Sequence, residues 1–414
     1  MSNVPKLRFQ SFTDQQEHLK LKVFAEVKRG AGSQYLSYCD MSDESYRLIR
    51  IGDFLGSDPV YVRKTPDMTR FTLESGDILI AGTGATAGIT FEVPDRFVGM
   101  AYSYNAPRIR PNGVNSTYLS NYLKSPRLEK QKKRLFTGNA QPFLDTNDIR
   151  NFDFYISGIE EQQKIAEFLT AVDTKIEQLT RKEELLKQYK KGVMQKIFSQ
   201  EIRFKADDGS EFPEWEKHKF HDVYKFMPTN SLSRADLNTE SGVYRNIHYG
   251  DIHTKFPTVL DVDKEVIPFI TDTNRQFADY MLCDTGDLVI ADASEDYADI
   301  GKSVEIVNSN RELVVAGLHT ILARPEKEMA TGFSAYMVQS SAFRKQIHRI
   351  AQGAKVLGIP VGQLKKLTVW FPCYEEQLKI AKVLRSLDQK ITSLNGQINE
   401  VKTFKKGLLQ QMFV

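Results

Sequence analysis

The sequence predicts an α+β fold in which two related globular domains are separated by two long antiparallel helices that form an intramolecular coiled coil. Three observations predict this fold: an internal repeat, short β-rich runs in both copies of the repeat, and a heptad pattern in two long helices. The duplication also predicts pseudo-twofold symmetry. The predicted globular domains are residues 1–156 and 201–372, and the predicted long helices lie within residues 157–200 and 373–414.

The repeat is clearest in the two segments that carry the long helices. Residues 160–198 align without a gap with residues 375–413, and 17 of these 39 positions are identical. Weaker matches extend upstream, but the spacing between them differs in the two copies. The helices are therefore constant in length while the loops vary, which is typical of a common scaffold that carries two different binding surfaces.

Each copy predicts the same order of elements. Short β-rich runs, such as residues 77–81 and 287–291, lie among Gly, Asp and Pro residues that break regular structure. A single helix is predicted next, at about 117–135 in the first copy and 332–350 in the second. A glycine-containing loop and a short strand then lead into the long helix.

The long helices are predicted to begin after Ser157 and after Pro372, with glutamates in the first turn, where the helix dipole favours them. Apolar residues then recur with heptad spacing, which requires a partner helix. Because each copy has one such helix, pairing of the two is favoured over packing of each within its own domain. The seam consists of Leu169, Val172, Ile176, Leu179, Leu186, Val193 and Ile197, and of Leu384, Leu387, Ile391, Leu394, Ile398, Val401, Leu408 and Met412.

Composition places the chain among soluble globular proteins. Its 414 residues are 26% charged and 41% hydrophobic, enough to build two or three domain cores. No apolar run approaches the ~20 residues of a membrane span, and the first residues lack a secretory segment. The three cysteines lie far apart, which favours a reduced, cytoplasmic setting.

The net charge of +3 is small, but its distribution is uneven. Residues 341–366 contain six Lys or Arg and no acidic residue, and residues 124–134 contain six with one glutamate. Such stripes on a nearly neutral chain suit a polyanion bound at defined places, or simply form solvated helix faces.

Motifs for catalysis are not convincing. Residues 81–88 match a dinucleotide-binding glycine pattern, but a strand follows instead of the required helix. Gly301-Lys302-Ser303 lacks the upstream glycine of a phosphate-binding loop. No Cys or His cluster has metal-ligand spacing. We therefore predict no catalytic residues and no metal site in this chain.

The duplicated pattern resembles the specificity subunit of type I restriction–modification systems. The two helical segments look like the spacer regions of that family, which begin with a Pro-x-x-x-Glu-Gln pattern. The second copy has this pattern at Pro372, Glu376 and Gln377. The first copy has Ser157 in place of the proline. The other segments that carry the resemblance are GDILIA (76–81), GDLVIADASED (286–296), LFTGNAQPFL (135–144) and RFKADDGSEFPEW (203–215).

The resemblance implies a noncatalytic DNA-binding protein. Each globular part would be a target recognition domain that reads one half of a bipartite, asymmetric site in double-stranded DNA, and the helices would set the gap between the halves. The family similarly implies two adenine-methyltransferase (modification) subunits and two motor-nuclease (restriction) subunits as partners. S-adenosylmethionine, ATP and Mg would then belong to those partners, and no cofactor is expected in this chain. The alternative is a coiled-coil scaffold that never binds DNA.

Candidate DNA-binding residues follow from their chemistry, because Arg, Lys, Asn and Gln suit base edges and phosphates. Four acids in the second copy, Asp292, Glu295, Asp296 and Asp299, would repel phosphate unless they accept from cytosine amino groups or face away. The candidates are Arg50, Thr83, Thr86, Arg134, Asn139 and Gln141 in the first copy, and Arg245, Asn246, His248, Lys302, Gln352 and Lys355 in the second.

Candidate partner-binding residues lie on the long helices, off the heptad seam or interrupting it. Their alternative role is that of solvated surface charge. They are Lys187, Tyr189 and Lys190 in the first helix, and Lys402, Phe404 and Lys405 in the second.

Overall fold

The computed structural model describes residues 5–136, 142–309 and 313–413. Within these ranges, no helix combines the length and the hydropathy that crossing a lipid bilayer requires.

The chain forms two compact units, and both long helices contribute to both of them. Unit 1 contains residues 1–181 and 395–414, and unit 2 contains residues 182–394. The first long helix, α5, spans Ile159–Phe198, and the second, α10, spans Tyr374–Met412. Each unit therefore holds the first half of one long helix and the second half of the other.

Unit 1 contains two four-stranded sheets and one two-stranded ladder. Its strands are β1 (Glu17–Lys20), β2 (Ala25–Lys28), β3 (Tyr38–Cys39), β4 (Ser45–Ile49), β5 (Tyr61–Arg63), β6 (Ile78–Ile80), β7 (Thr90–Glu92), β8 (Ala101–Tyr102), β9 (Arg108–Pro111) and β10 (Asp153–Ile156). Its shorter helices are α1 (Leu21–Phe24), α2 (Ser116–Leu123), α3 (Pro126–Phe136) and α4 (Thr146–Arg150). The strand orders are β2-β9-β6-β7 and β3-β5-β4-β8, and β1 pairs with β10.

Unit 2 repeats this plan with a five-stranded main sheet. Its strands are β11 (Glu216–Lys219), β12 (Tyr224–Met227), β13 (Leu237–Asn238), β14 (Arg245–Ile247), β15 (Val259–Asp261), β16 (Phe269–Ile270), β17 (Leu288–Ala291), β18 (Ala293–Ser294), β19 (Ser303–Val307), β20 (Val314–Ala316), β21 (Thr320–Pro325), β22 (Leu357–Gly358) and β23 (Thr368–Phe371). Its shorter helices are α6 (Tyr249–Thr254), α7 (Phe333–Gln339), α8 (Ser341–Ile350) and α9 (Val361–Leu364). The main sheet has the order β12-β21-β17-β19-β15, the second β13-β16-β14-β20, and β11 pairs with β23.

The prediction of one continuous helix before the glycine loop is wrong in both copies. In unit 1 the chain breaks between α2 and α3 at Pro126, which has no backbone N–H to continue the helical ladder. In unit 2 the break falls at Ser340, whose hydroxyl accepts a hydrogen bond from the amide of Phe343 (3.3 Å) and so begins α8.

The predicted antiparallel pairing of the long helices is confirmed within each unit. In unit 1, Leu169 near the start of α5 shares one buried cluster with Leu408 and Met412 near the end of α10. In unit 2, Val193 near the end of α5 packs on the cluster that contains Leu384 near the start of α10. The heptad positions therefore form the seam that holds the two helices together.

Two ion pairs across this seam are related by the repeat. Lys405 donates to Asp173 at 2.6 Å in unit 1, and Lys190 donates to Asp388 at 2.5 Å in unit 2. Both lysines and both aspartates occupy corresponding positions of the two copies. Because these opposite charges face each other in one alignment of the two helices, they favour a single register.

The Glu-Gln pair at the start of each long helix is buried and performs the same task in both units. Glu161 accepts two hydrogen bonds from the guanidinium of Arg8, each 2.7 Å long. Gln162 donates to the carbonyl oxygen of Ser157 (2.7 Å) and accepts from the amide of Asn115 (2.9 Å). The pair thus joins the start of α5 to the N-terminal segment and to α2.

In unit 2 the corresponding glutamate is Glu376, which accepts from Arg203 (2.8 Å) and from the indole of Trp215 (3.1 Å). Gln377 accepts from the amide of Ala330 (3.1 Å) and donates to the carbonyl oxygen of Pro372 (3.0 Å). These contacts give the Glu-Gln pattern of the two spacer segments a physical reason.

A buried carboxyl makes the stability of unit 2 dependent on pH. Glu305 on β19 accepts hydrogen bonds from the amides of Gly332 and Ala335 at the start of α7, and its burial raises its pKa to about 7. Because this pKa is raised on folding, the folded state retains a proton that the unfolded chain releases above pH 4.5.

We therefore expect unit 2 to lose stability as the pH rises from about 5 to 8, by on the order of 3 kcal/mol. Both tryptophans of the chain, Trp215 and Trp370, lie in unit 2, so urea unfolding followed by tryptophan fluorescence measures this change. In Glu305→Gln the pH dependence should be much weaker. An equally steep dependence in this variant would contradict the role of Glu305.

Candidate nucleic-acid interface

Three loops of unit 1 meet where β4, β6 and β9 reach the same end of the sheets. The amide of Ser103 donates to the carbonyl oxygen of Ile49 (2.9 Å), and the amide of Gly82 donates to that of Asn105 (2.9 Å). Gly82 in turn accepts from the amide of Leu144 (2.8 Å). These backbone hydrogen bonds form a fixed frame, which we call the loop frame of unit 1.

Unit 2 has the same loop frame at the ends of β14, β17 and β21. The amide of Gly317 donates to the carbonyl oxygen of Ile247 (2.9 Å), and the amide of Asp292 donates to that of His319 (3.0 Å). Asp292 accepts from the amide of Ile359 (2.8 Å), as Gly82 does from Leu144 in unit 1. The backbone is therefore duplicated while the side chains on it differ.

The structure places three of the predicted residues of the first copy on the loop frame of unit 1. Arg50 follows β4; its guanidinium pairs with the buried Asp53 (3.3 Å) and donates to the carbonyl oxygen of Asp58 (2.7 Å). Thr83 and Thr86 are half-buried in the loop after β6. Arg134 is instead on α3, and Asn139 and Gln141 lie outside the described residues.

An arginine between two aromatic rings also lies on this frame. It was not predicted from the sequence as a site residue. The guanidinium of Arg29 is 4.6 Å from the ring centroid of Tyr104 and 5.1 Å from that of Phe143. Both rings are more than 40% exposed. The three residues are far apart in the sequence, so only the sheet topology brings them together.

Two predicted residues of unit 2 are buried. Asn246 is completely buried, and its side-chain oxygen accepts from Nδ2 of Asn230 (2.8 Å). His248 is 6% exposed; its Nδ1 accepts from the amide of Gly250 (3.1 Å) at the start of α6, and burial lowers its pKa. Both side chains would have to move outwards before they could reach a base edge.

The remaining predicted residues of unit 2 are more accessible. Arg245 donates to the carbonyl oxygen of Val262 (3.0 Å), and Lys302 donates to that of His253 on α6 (2.6 Å). Gln352 and Lys355 are exposed in the loop between α8 and β22.

A contact between a histidine and an aspartate on the loop frame of unit 2 was also not predicted from the sequence. Nδ1 of His319 lies 3.3 Å from the carboxylate of Asp292, and the two side chains are 51% and 29% exposed. Burial raises the pKa of Asp292. The two residues are 27 positions apart in the sequence, so no sequence motif indicated that they would be in contact.

A cationic helix packs beside each loop frame. On α3 the buried Lys132 donates to the carbonyl oxygen of Gly88 (2.8 Å) and to Glu129 (2.6 Å), and burial lowers its pKa. On α8 Arg344 donates to the carbonyl oxygen of Ala298 (2.8 Å). The exposed basic residues of the two helices are Lys130, Lys133 and Arg134 on α3, and Lys345 and Arg349 on α8.

The predicted partner-binding residues of the long helices fall into two groups. Lys190 and Lys405 are largely covered and form the ion pairs of the seam. The other four are exposed, with Tyr189 61% and Phe404 54% accessible, and Lys187 pairs with Glu183 at 2.8 Å. Exposed aromatic rings at corresponding positions of both helices remain candidates for contact with a partner.

Each long helix also lines an open groove near its start. The groove of unit 1 encloses about 590 Å³ and the groove of unit 2 about 430 Å³. Six lining positions correspond in the repeat, so the two grooves occupy equivalent places. These positions are Gln163, Ala166, Glu167, Thr170, Ala171 and Thr174 in unit 1, and Leu378, Ala381, Lys382, Arg385, Ser386 and Gln389 in unit 2.

Known proteins of similar sequence point to one system. The "Type I restriction enzyme MjaVIII specificity subunit" of Methanocaldococcus jannaschii is 23% identical over 355 residues, which cover 81% of this chain and 78% of that protein. The "Putative type I restriction enzyme MjaX specificity subunit" of the same organism is 23% identical over 378 residues, 84% of this chain and 79% of the relative.

Solved structures share the fold at low sequence identity. A chain from a study of the complex assembly and conformational transition of the type I R-M system has a TM-score of 0.59 and 16% identity, over 96% of this chain and 97% of that one. The S subunit of a type I restriction–modification system from M. genitalium has a TM-score of 0.57 and 14% identity, over 99% of both chains.

The sequence profile of the type I restriction modification DNA specificity domain matches residues 15–188 and again residues 213–403. The two matches follow the two copies of the repeat and cover most of the chain. Each copy thus supplies one recognition domain and one long helix, and the chain belongs to the family of type I restriction–modification specificity subunits.

Proposed function

We propose that this chain reads a bipartite, asymmetric site in double-stranded DNA, one half with the loop frame of each unit, and leaves the chemistry to other subunits. The observation that carries the proposal is the duplicated frame with different side chains. A constant backbone that holds different polar groups suits two different base sequences, because direct readout depends on the donors and acceptors offered to the base edges.

Several accessible side chains are available for this readout. In unit 1 they are Arg50, Thr83 and Thr86, and Arg29 lies beside them between two exposed aromatic rings. Asn139 and Gln141 are also proposed to contact bases. In unit 2 they are Arg245, Lys302, Gln352 and Lys355. Arginine and lysine suit guanine, and glutamine suits adenine.

The cationic helices α3 and α8 supply the phosphate contacts in this proposal. They pack against the loops of the frames and expose lysine and arginine at corresponding positions. Phosphate contacts contribute affinity and register without sequence information, so one shared helix can serve two different half-sites.

The salt dependence of DNA binding tests this assignment. We expect the affinity of the chain for duplex DNA to fall steeply with salt, and the slope of log K against log[salt] to decrease by about 2 in Lys133→Gln/Arg134→Gln, or about 1 per lost phosphate contact. Salt titration of binding, followed by fluorescence anisotropy of a labelled duplex, measures the slope.

The matched control removes the same charge from two exposed positions of α5, in Lys182→Gln/Lys191→Gln, and should leave the slope unchanged. An equal decrease in both double variants would mean that α3 has no specific role. Absence of any salt-dependent binding would favour the alternative function, a coiled-coil scaffold that never touches DNA.

The long helices are proposed to carry two methyltransferase subunits, and two motor-nuclease subunits would join the same complex. Two equivalent grooves and two exposed aromatic rings, Tyr189 and Phe404, support a stoichiometry of two, together with Lys187 and Lys402 beside them. The seam lysines Lys190 and Lys405 contribute mainly by holding the helices in register. S-adenosylmethionine, ATP and Mg would be bound by these partner subunits.

A further inference from the structure

The His319–Asp292 pair has no counterpart in unit 1, although the backbone around it does. Gly82 occupies the place of Asp292, and Asn105 occupies the place of His319, as the equivalent backbone hydrogen bonds show. A Cβ atom on Gly82 would approach Cδ of Pro107 to 3.2 Å and the carbonyl oxygen of Asn105 to 3.3 Å. Unit 1 therefore leaves little room for a side chain at a point where unit 2 presents a carboxylate.

The pair is held in place from several sides. His319 has a φ of 54°, in the left-handed region, where only three of the described non-glycine residues lie. This conformation is unfavourable for most side chains and persists only where the surroundings impose it. The ring of Tyr249 meets the imidazole edge to face at 5.3 Å, and the backbone of Asp292 is bonded to both His319 and Ile359.

The carboxylate retains hydrogen-bonding capacity. Oδ1 of Asp292 faces Nδ1 of His319, whereas Oδ2 forms no hydrogen bond with any described residue. The neighbouring histidines are already engaged, since His248 caps α6 and Nε2 of His253 lies 2.9 Å from the carbonyl oxygen of Ala293. Among these groups, Asp292 is the acceptor left open to a ligand.

Charge disfavours a phosphate as that ligand. Glu295 and Asp296 are exposed on the same loop, so together with Asp292 they repel an anion. A neutral donor in a DNA groove is not repelled, and an exocyclic amino group is such a donor. A carboxylate accepts from N4 of cytosine; adenine would in addition require a donor for its N7, which an ionised carboxylate lacks.

We propose that Asp292 is a specificity-determining residue of unit 2 that accepts a hydrogen bond from the amino group of a cytosine in one half-site, and that His319 is a positioning residue that holds the carboxylate. This inference rests on the proposed function, because it requires that the loop frame of unit 2 faces DNA. Of the four acidic residues of this loop, it gives Asp292 the role of accepting a hydrogen bond from a cytosine amino group.

Selection of bound sequences from a pool of duplexes with a random cassette tests the assignment, with the full chain assembled with its methyltransferase subunits. In Asp292→Asn the preference for cytosine at one position of one half-site should fall at least tenfold and shift towards adenine, because an amide offers both a donor and an acceptor. The other half-site should stay unchanged. His319→Asn, which places the residue of unit 1 here, should weaken the same preference less.

Asp296→Asn is the matched control, since it removes one negative charge from the same loop and should leave the selected sequence unchanged. The proposal is overturned if Asp292→Asn selects the native sequence, or if both half-sites change together.

Should Asp292→Asn fail to assemble, Asp292→Glu moves the carboxylate by one methylene. A changed preference at the same position then supports the proposal, and an unchanged preference overturns it. A native complex that selects no sequence refutes the proposed function itself.

Discussion

Exchange of residues 21–152 for the corresponding segment of another family member is expected to replace one half of the DNA site and to leave the other half unchanged. The structure supplies the boundaries, because the amide of Leu21 donates to the carbonyl oxygen of Phe152 (3.0 Å) between the paired strands β1 and β10. The first and last residues of the exchanged segment are therefore neighbours in the structure.

The retained helices limit how the exchange should be made. Tyr118 and Tyr122 pack on the ring of Phe413 at the end of α10, with centroid distances of 5.4 and 4.6 Å. Keeping tyrosine at both positions preserves this contact in the chimera. Mapping of methylated adenines in a host that carries the complete system then measures both half-sites.

The mirror exchange in unit 2 is the internal control. Its boundaries are equivalent, because the amide of Phe220 donates to the carbonyl oxygen of Leu367 (2.9 Å) between β11 and β23. It should change only the other half of the site. A chimera that changes both halves, or neither, would show that the two units do not read DNA independently.

The parts of the fold that could be predicted from the sequence depend on periodicity. The heptad positions of α5 and α10 specified the buried seam, because an apolar residue every three or four positions can lie only on one helix face. Strands were predicted from short β-rich runs instead, because these lie among residues that break regular structure. The helix breaks at Pro126 and Ser340 were missed, since amphipathic spacing continues across both breaks.

The candidate site was less predictable, because side-chain chemistry does not reveal burial. Asn246 and His248 have the right groups for base contact, yet they satisfy backbone and side-chain partners inside unit 2. Conversely, Arg29 and the His319–Asp292 pair acquire their neighbours only through the sheet topology. Three-residue similarities are also too short to recognise: Leu7-Arg8-Phe9 corresponds to Ile202-Arg203-Phe204, and only the structure shows that both arginines bind the start of a long helix.

Loss of one of these arginines is expected to have the largest effect on stability. Glu376 is 1% exposed in its side chain, and the guanidinium of Arg203 covers it. In Arg203→Ala, Trp215 would be the one donor to this buried carboxylate left among the residues that the structure describes. Removal of one partner of a buried ion pair costs about 3–5 kcal/mol, because the remaining charge is left without compensation.

Urea unfolding followed by tryptophan fluorescence measures this loss directly, since Trp215 touches the same carboxylate. Lys196→Ala is the control: the ion pair of Lys196 with Glu201 is more than half exposed on both sides, so its loss should leave the stability almost unchanged. Arg203→Ala combined with Glu376→Gln should recover part of the stability, because a neutral amide is less costly to bury than an unpaired carboxylate. If Arg203→Ala were no more destabilising than Lys196→Ala, the buried pair would not be what fixes the start of α10 to unit 2.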